Sequence, residues 1–292
     1  MALLALAPLV TAILLIDRAC AGVAPADAAS RSTGAPPDTG YAYAAGACLA
    51  QNPTGGSARN RTLFIDAGHG GPDPGVLGQQ RRPPIKESQV ALAVATELAR
   101  QLRADGYRVV LSRTKDTSVR AFDPDELADG TLDATQVRQD LQARVRCAND
   151  SHAAALLSVH FNGYDDVAAG GSQTIYDDAR PFAEQSAKLA NSVHRALLKQ
   201  LKLEDRGVIT DDQIDAPTLS DRAESYGHLL LLGPAAPGWL DRGTSMPGAL
   251  VEPLFLTAPD QATLATTANG QKKIAQALKS GLEDYLNSAP RQ

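Results

Sequence analysis

Aromatic side chains are scarce in this 292-residue sequence, at 4%. That argues against the stacking platforms on which single-stranded nucleic acids lie. Positive charge is not in excess either: 28 Lys and Arg stand against 33 Asp and Glu, for a net charge of −5. A phosphate-neutralising surface needs clustered cations, so nucleic acid is not an expected partner. With only 3 cysteines, a multi-thiolate zinc site is excluded. No apolar run is long enough to cross a bilayer. The longest runs from Ala2 to Ile16, short of the roughly 20 residues a helical span requires, so no stable membrane span is expected in the mature chain.

That first run suits the core of a signal peptide, with small residues at Ala19, Ala21, Ala26 and Ala28 for cleavage, although no Lys or Arg precedes it. The expected organisation is a signal peptide over 1–28, a flexible linker over 29–60 and a catalytic domain over 61–288. The linker reading rests on the abundance of Ala, Gly, Pro, Ser and Thr between Ala29 and Asn60. Export would leave Cys48 and Cys147 as an even pair able to bridge in an oxidising compartment. The alternative is two unrelated small residues, with Cys147 buried in a helix. The expected location is the periplasm or the exterior of a bacterial cell envelope.

From Arg61 onward, strand and helix patterns alternate. "RTLFID", "YRVVLSR", "AALLSVHFN", "SQTIYD", the "LLLL" before Gly233 and "GALVEPLFL" read as strands. Val90, Val94, Leu98 and Leu102 mark one amphipathic helix, Val137, Leu141 and Val145 a second. A third begins near Pro181 and a fourth closes the chain. Hydrophobic residues make up 43%, enough for a packed core. The pattern predicts a single α/β domain with a central, mostly parallel twisted sheet and helices on both faces. Two polar stretches, Asp116–Asp133 and Ile209–Tyr226, break the rhythm and read as long loops.

Chemistry-bearing residues gather where strands end. His69 follows "TLFIDAG" and is flanked by glycines that let the chain turn tightly. His160 follows "ALLSV", and Glu87 opens the helix after the first strand. Two histidines and a carboxylate match a catalytic zinc set with a fourth position left for water. Glu252 lies within a late apolar strand, where a charge needs a partner or a task. Each has a plainer reading: a capping histidine, a helix-start acid favoured by the dipole, a glutamate paired with Arg206 or Arg242. Of the remaining histidines, His152 is expected to bind a helix's last carbonyls and His194 to be solvated. His228 lies in a long-loop region from which it could reach the site.

"IDAGHGGPDPG", "KESQVALAVATELARQL", "YRVVLSRTKDT", "ARVRCAND", "ALLSVHFNG", "DRGV", "MPGALVEPLFL" and the closing "KIAQAL" helix occur in that order. Together they resemble the zinc-dependent N-acetylmuramoyl-L-alanine amidases of the amidase 3 type, over about Arg61 to Asn287. The resemblance implies one Zn2+ ion on His69, Glu87 and His160, with Glu252 as the catalytic acid–base. It implies supporting roles for Arg113, Asn162, Arg206 and Met246-Pro247. Peptidoglycan is the implied substrate, cut between N-acetylmuramic acid and L-alanine; an activator protein, of unknown identity, is compatible with it. A zinc peptidase acting on another wall amide and a wall-binding regulator without turnover are the competing readings. Two departures stand out. Pro253 follows the glutamate and should interrupt the strand's hydrogen-bond ladder. Only Asp177–Arg180 separates "SQTIY" from the next helix, so the inserted helix that plugs the site in some relatives has no room there.

Overall fold

Alternation of side chains along a few short apolar segments builds the core. The computed structural model describes residues 41–78, 82–214 and 226–288. The expected signal peptide, residues 29–40 of the expected linker and much of the second polar stretch lie outside the described residues.

The elements in chain order are β1 (Ala47–Gln51), β2 (Thr62–Ala67), β3 (Leu77–Gly78), β4 (Ile85–Lys86), α1 (Glu87–Ala104), β5 (Arg108–Arg113), α2 (Ala134–Asp150), β6 (Ala155–Val159), β7 (Ser172–Tyr176), α3 (Ala183–Leu201), β8 (Asp205–Thr210), β9 (Gly248–Glu252), α4 (Pro259–Thr266) and α5 (Ala268–Ser288). A 7-stranded sheet takes the order β1-β5-β2-β6-β9-β7-β8, and β3 pairs with β4 separately. The inner strands β5, β2, β6 and β9 are parallel; β1 joins β5 and β7 joins β9 antiparallel, while β8 runs parallel to β7. The expected α/β class with a mostly parallel sheet is what the chain adopts.

The two faces follow from the pleat. Leu63 and Ile65 of β2 point into a cluster with Val94 and Leu98 of α1, Val193 of α3 and Leu278 of α5. Phe64, between them, points the other way. It joins Val145 of α2, Leu156, Ile175 and the run Leu230–Leu232. Complete burial of such side chains stabilises by about 1.5–3 kcal/mol each relative to exposure. The first face is covered by helices. The second is covered by α2 and a non-helical segment, and the gap between these two becomes the cleft described below.

Local signals set the boundaries. Asp133 caps α2 and Gln136 reaches back to it in a capping box. β9 stops at Glu252, immediately before Pro253, which has no N–H for the ladder. Pro253 still contributes its carbonyl, which accepts from Ser172 Oγ at 2.7 Å.

Three expectations need correction. Ala47–Gln51, within the segment read as linker, is a strand paired with β5, so the folded domain begins before Arg61. The stretch Ile209–Tyr226 is not loop from its start: Ile209 and Thr210 close the edge strand β8, which is exposed along one side and polar in composition. Leu229–Leu232 is not a strand. The Leu232 and Gly233 amides both donate to the Leu229 carbonyl in a tight turn, and the leucines are buried by facing the sheet instead of joining it.

Cys48 and Cys147 form a disulfide that ties β1 to the end of α2 across 99 residues of sequence. Closing so long a loop restricts the unfolded chain. Replacing both cysteines by serine is expected to lower stability by roughly 2–5 kcal/mol, read as a fall in melting temperature or denaturation midpoint. An unchanged midpoint would show that the edge strand is held by pairing alone.

Candidate metal centre and active site

Parallel strands deliver their carboxyl ends to one edge of a sheet, and sites in α/β folds gather there. His69 comes two residues after β2, His160 directly after β6, and Glu252 is the last residue of β9. Glu87 enters from the side as the first residue of α1. One ligand atom each from His69, Glu87 and His160 lies within 4.8 Å of the others.

The carboxylate is the pivot. Glu87 Oε2 stands 3.1 Å from His69 Nε2, and Oε1 stands 3.1 Å from His160 Nδ1. The same two oxygens accept from the backbone N–H groups of Val76 and Phe161 at 2.8 and 2.9 Å. Burial alone would raise its pKa, but the two imidazoles and their hydrogen bonds outweigh it, and the group is held ionised well below the usual carboxylate range. The other side of His69 is fixed by Asp73, whose Oδ2 lies 2.7 Å from Nδ1. This aims Nε2 into the cleft, as a carboxylate behind a metal-binding histidine does. Burial works against a charged His69 ring; Glu87 and then Asp73 reverse that and raise it to about 10. A bound cation would take that proton's place.

The backbone around His69 is unusual for a non-glycine residue, with φ at +59°. Arg144 holds it there. This arginine, 2% exposed, donates to the His69 carbonyl at 2.6 Å, to the Ala67 carbonyl at 2.8 Å and to Asp66 at 2.7 Å, while Nε binds Asp140 at 2.9 Å. Burial raises the Asp66 pKa, but Arg144, together with His160 and the Ser158 and Ser112 hydroxyls, outweighs it and brings it to about 2. Arg113, fully buried, supports the same turn through the Ala67, Gly68 and Ser88 carbonyls. Two glycines are required by close approach. A Cβ on Gly68 would come within 2.4 Å of the His160 ring, and one on Gly75 within 2.5 Å of Glu87 Oε2.

Glu252 differs from Glu87. Its Oε2 is shielded from solvent and has no hydrogen-bond partner among the described residues. Burial first, then the Glu87 charge, pushes its pKa up to about 8, against a smaller opposing pull from His69. Arg206 does not neutralise it: that side chain donates to the Gly170 carbonyl and lies over the Phe255 ring. All four residues line one cleft of about 520 Å³. Its floor is the second sheet face, with Asp66, Ser158, Leu250 and Ile175; its walls are α2 and Leu229–Leu232. Asn162 also lines it, whereas Met246 is buried and the Pro247 carbonyl accepts from Leu156 where β9 begins.

The other histidines go elsewhere. His194 is 4% exposed, not solvated, between Thr174 and Asp205, because its helix face packs on β7 and β8. His152 is exposed, and its backbone N–H, not its ring, meets the Asn149 carbonyl. His228 does not reach the site. It lies 2.8 Å from Asp177 and 3.4 Å from Asp211, a second His and Asp cluster beside the buried Arg180. Asp211 also accepts from the Leu229 amide at 2.8 Å, so this cluster anchors the leucine wall of the cleft.

A search of sequence families decides the family. The amidase 3 model, described as N-acetylmuramoyl-L-alanine amidase, matches residues 63–284. This chain is an amidase 3 family member. It is 30% identical over 224 residues to the N-acetylmuramoyl-L-alanine amidase LytC of Bacillus subtilis, covering 77% of this chain and 35% of LytC. The germination-specific N-acetylmuramoyl-L-alanine amidase of the same organism is 27% identical, over 77% of this chain and 80% of its own length. AmiC of Neisseria meningitidis is 26% identical, with 58% of its length covered. The chain therefore spans about a third of LytC and under two thirds of AmiC. Among solved structures, the CwlD amidase from Clostridioides difficile in complex with the GerS lipoprotein superposes with a TM-score of 0.61 at 25% identity, over 79% of this chain and all of that one.

Some supporting residues lie inside the quoted motifs without a pattern of their own that marks their role. Asp73 sits four residues after His69, between two prolines. Arg144 falls beside the apolar stripe of α2, three residues after Leu141, and a charge there is the signal that was available. If His69 ligates zinc, Asp73→Ala is expected to lower zinc affinity 10- to 100-fold, the usual cost of losing a partner behind a metal ligand. Competition titration against a chromophoric chelator measures it, and an unchanged affinity would contradict the role of Asp73.

Proposed function

We propose that this amidase 3 member hydrolyses the amide between N-acetylmuramic acid and the L-alanine of peptidoglycan stem peptides, with one zinc ion held by His69, Glu87 and His160. The observation that carries the proposal is the pairing of two unlike carboxyl groups in one cleft. Glu87 is fixed and ionised among nitrogen donors. Glu252 Oε2 has no hydrogen-bond partner among the described residues and is free to exchange a proton. Two imidazole nitrogens and a carboxylate oxygen fit zinc by donor chemistry, and Asp73 behind His69 strengthens the fit.

When bound, the ion supplies Lewis acidity, easing deprotonation of water and polarising a carbonyl. The chain's own residues do the rest. Glu252 accepts the proton from the attacking water and returns it to the alanine nitrogen as the carbon–nitrogen bond breaks. A dication nearby would favour the ionised form of Glu252, against the burial that raises its pKa. Arg144 and Arg113 hold the His69 turn in register.

The same reading assigns action outside the cytoplasm, with residues 1–28 as an export signal and the stretch before β1 as a tether. No helix among the described residues is long and apolar enough to cross a membrane. Chelation tests the metal dependence: removing zinc should abolish release of stem peptides from purified peptidoglycan, and adding zinc back should restore it. Undiminished release in chelator would refute the proposal.

A further inference from the structure

Gln173 has no part in the chemistry above. It lies near the start of β7, directly opposite Glu252 in the antiparallel register. Residues opposite one another in such a pair share a face, with Cβ atoms about 4.5–5.5 Å apart. Both line the cleft, as do Ile175 and Leu250 further along the same two strands. Gln173 is half-buried, and its side-chain amide makes no hydrogen bond among the described residues. A primary amide carries two donors and an acceptor. Left open on a cleft wall, these can be satisfied by a bound molecule's own polar groups.

The order of the strands gives the substrate a direction. Moving across the sheet, His69 follows β2, His160 follows β6, Glu252 ends β9 and Gln173 is the second residue of β7. Resting on the amidase reading, the carbonyl under attack sits at the histidine end and the departing alanine nitrogen at Glu252. The atoms beyond that nitrogen continue toward β7. They are the alanine Cα and then the peptide amide that joins alanine to the second stem residue. We propose that Gln173 is a specificity-determining residue that hydrogen-bonds this second amide, so that the enzyme selects stems of two or more residues. A peptide amide offers one donor and one acceptor, and the glutamine amide can answer both. The stem beyond then lies along Ile175 and Leu250 of the floor and Leu231 of the apolar wall.

The test compares zinc-loaded wild type, Gln173→Met and Gln173→Ala on two soluble substrates, N-acetylmuramoyl-L-alanine and its dipeptide homologue. Methionine keeps the volume and removes the hydrogen bonds; alanine removes both. On the dipeptide substrate kcat/KM should fall about tenfold in both variants, the worth of one or two net hydrogen bonds. The loss should appear in KM, because Gln173 touches no reacting atom. On N-acetylmuramoyl-L-alanine the change should stay within about twofold, so the wild type's preference for the longer substrate disappears. Zinc content should match wild type throughout. Equal losses on both substrates, or a Gln173→Met variant that keeps the preference, would overturn the assignment. A wild type that holds zinc and cleaves neither substrate would bring down the amidase reading itself, and this proposal with it.

Discussion

Glu252→Gln is expected to keep one zinc ion per chain and to lose peptidoglycan turnover by about 10²–10⁴-fold, the usual worth of a positioned acid–base group. The substitution preserves shape and removes the ability to take up a proton. Metal retention follows from geometry, because the donor atoms that converge belong to His69, Glu87 and His160. Retention of the fold follows from burial. Oε2 of Glu252 makes no hydrogen bond among the described residues, so a neutral amide there leaves no partner behind. If anything, stability without metal should rise slightly, since a carboxyl pushed up to about 8 by burial is one the fold disfavours as an anion. The sign is clear: the folded protein raises this pKa, so the ionised form costs stability increasingly as pH climbs above the ordinary carboxylate range, and the amide variant escapes that cost. Parental turnover in Glu252→Gln would show that another group moves the proton.

His160→Ala should fail differently, by losing the ion. Outer partners of metal ligands typically account for 10- to 100-fold in affinity, and removing a ligand itself should exceed that, so loss of more than about 100-fold is expected. Glu87 Oε1 would keep its bond from the Phe161 amide, and Oε2 would keep His69 and the Val76 amide. The carboxylate therefore stays partnered and the chain should remain folded, with zinc content near zero after dialysis. A full complement of zinc in this variant would refute the ligand role of His160. The two variants separate metal binding from proton transfer: one keeps zinc without turnover, the other loses both.

Much of the fold was legible because its strands are short, apolar and flanked by helices of regular period. What escaped was decided at long range. Ala47–Gln51 contains little to mark a strand; it becomes one by pairing with β5 and by the disulfide to α2. Asp205–Thr210 is an edge strand, exposed on one side, and so lacks the apolar signature of β6 or β9. Leu229–Leu232 has that signature without the structure, because a run of four leucines fits a buried turn as well as a strand. At the site, His69, His160 and Glu252 stood out as polar residues closing apolar strands. The Asp66–Arg144 pair did not, since its members are 78 positions apart and each reads alone as an ordinary surface charge. Gln173 was equally silent: only the register against β9 sets it beside Glu252.

The most direct measurement is mass analysis of the soluble fragments released from purified peptidoglycan by the wild type and by Glu252→Gln. The wild type should release stem peptides that begin with a free L-alanine amine and leave glycan strands with intact lactyl carboxylates, while the variant releases almost none. Fragments ending in new D-amino-acid carboxylates, or equal release by both proteins, would contradict the assignment of this cleft to the muramoyl–alanine bond.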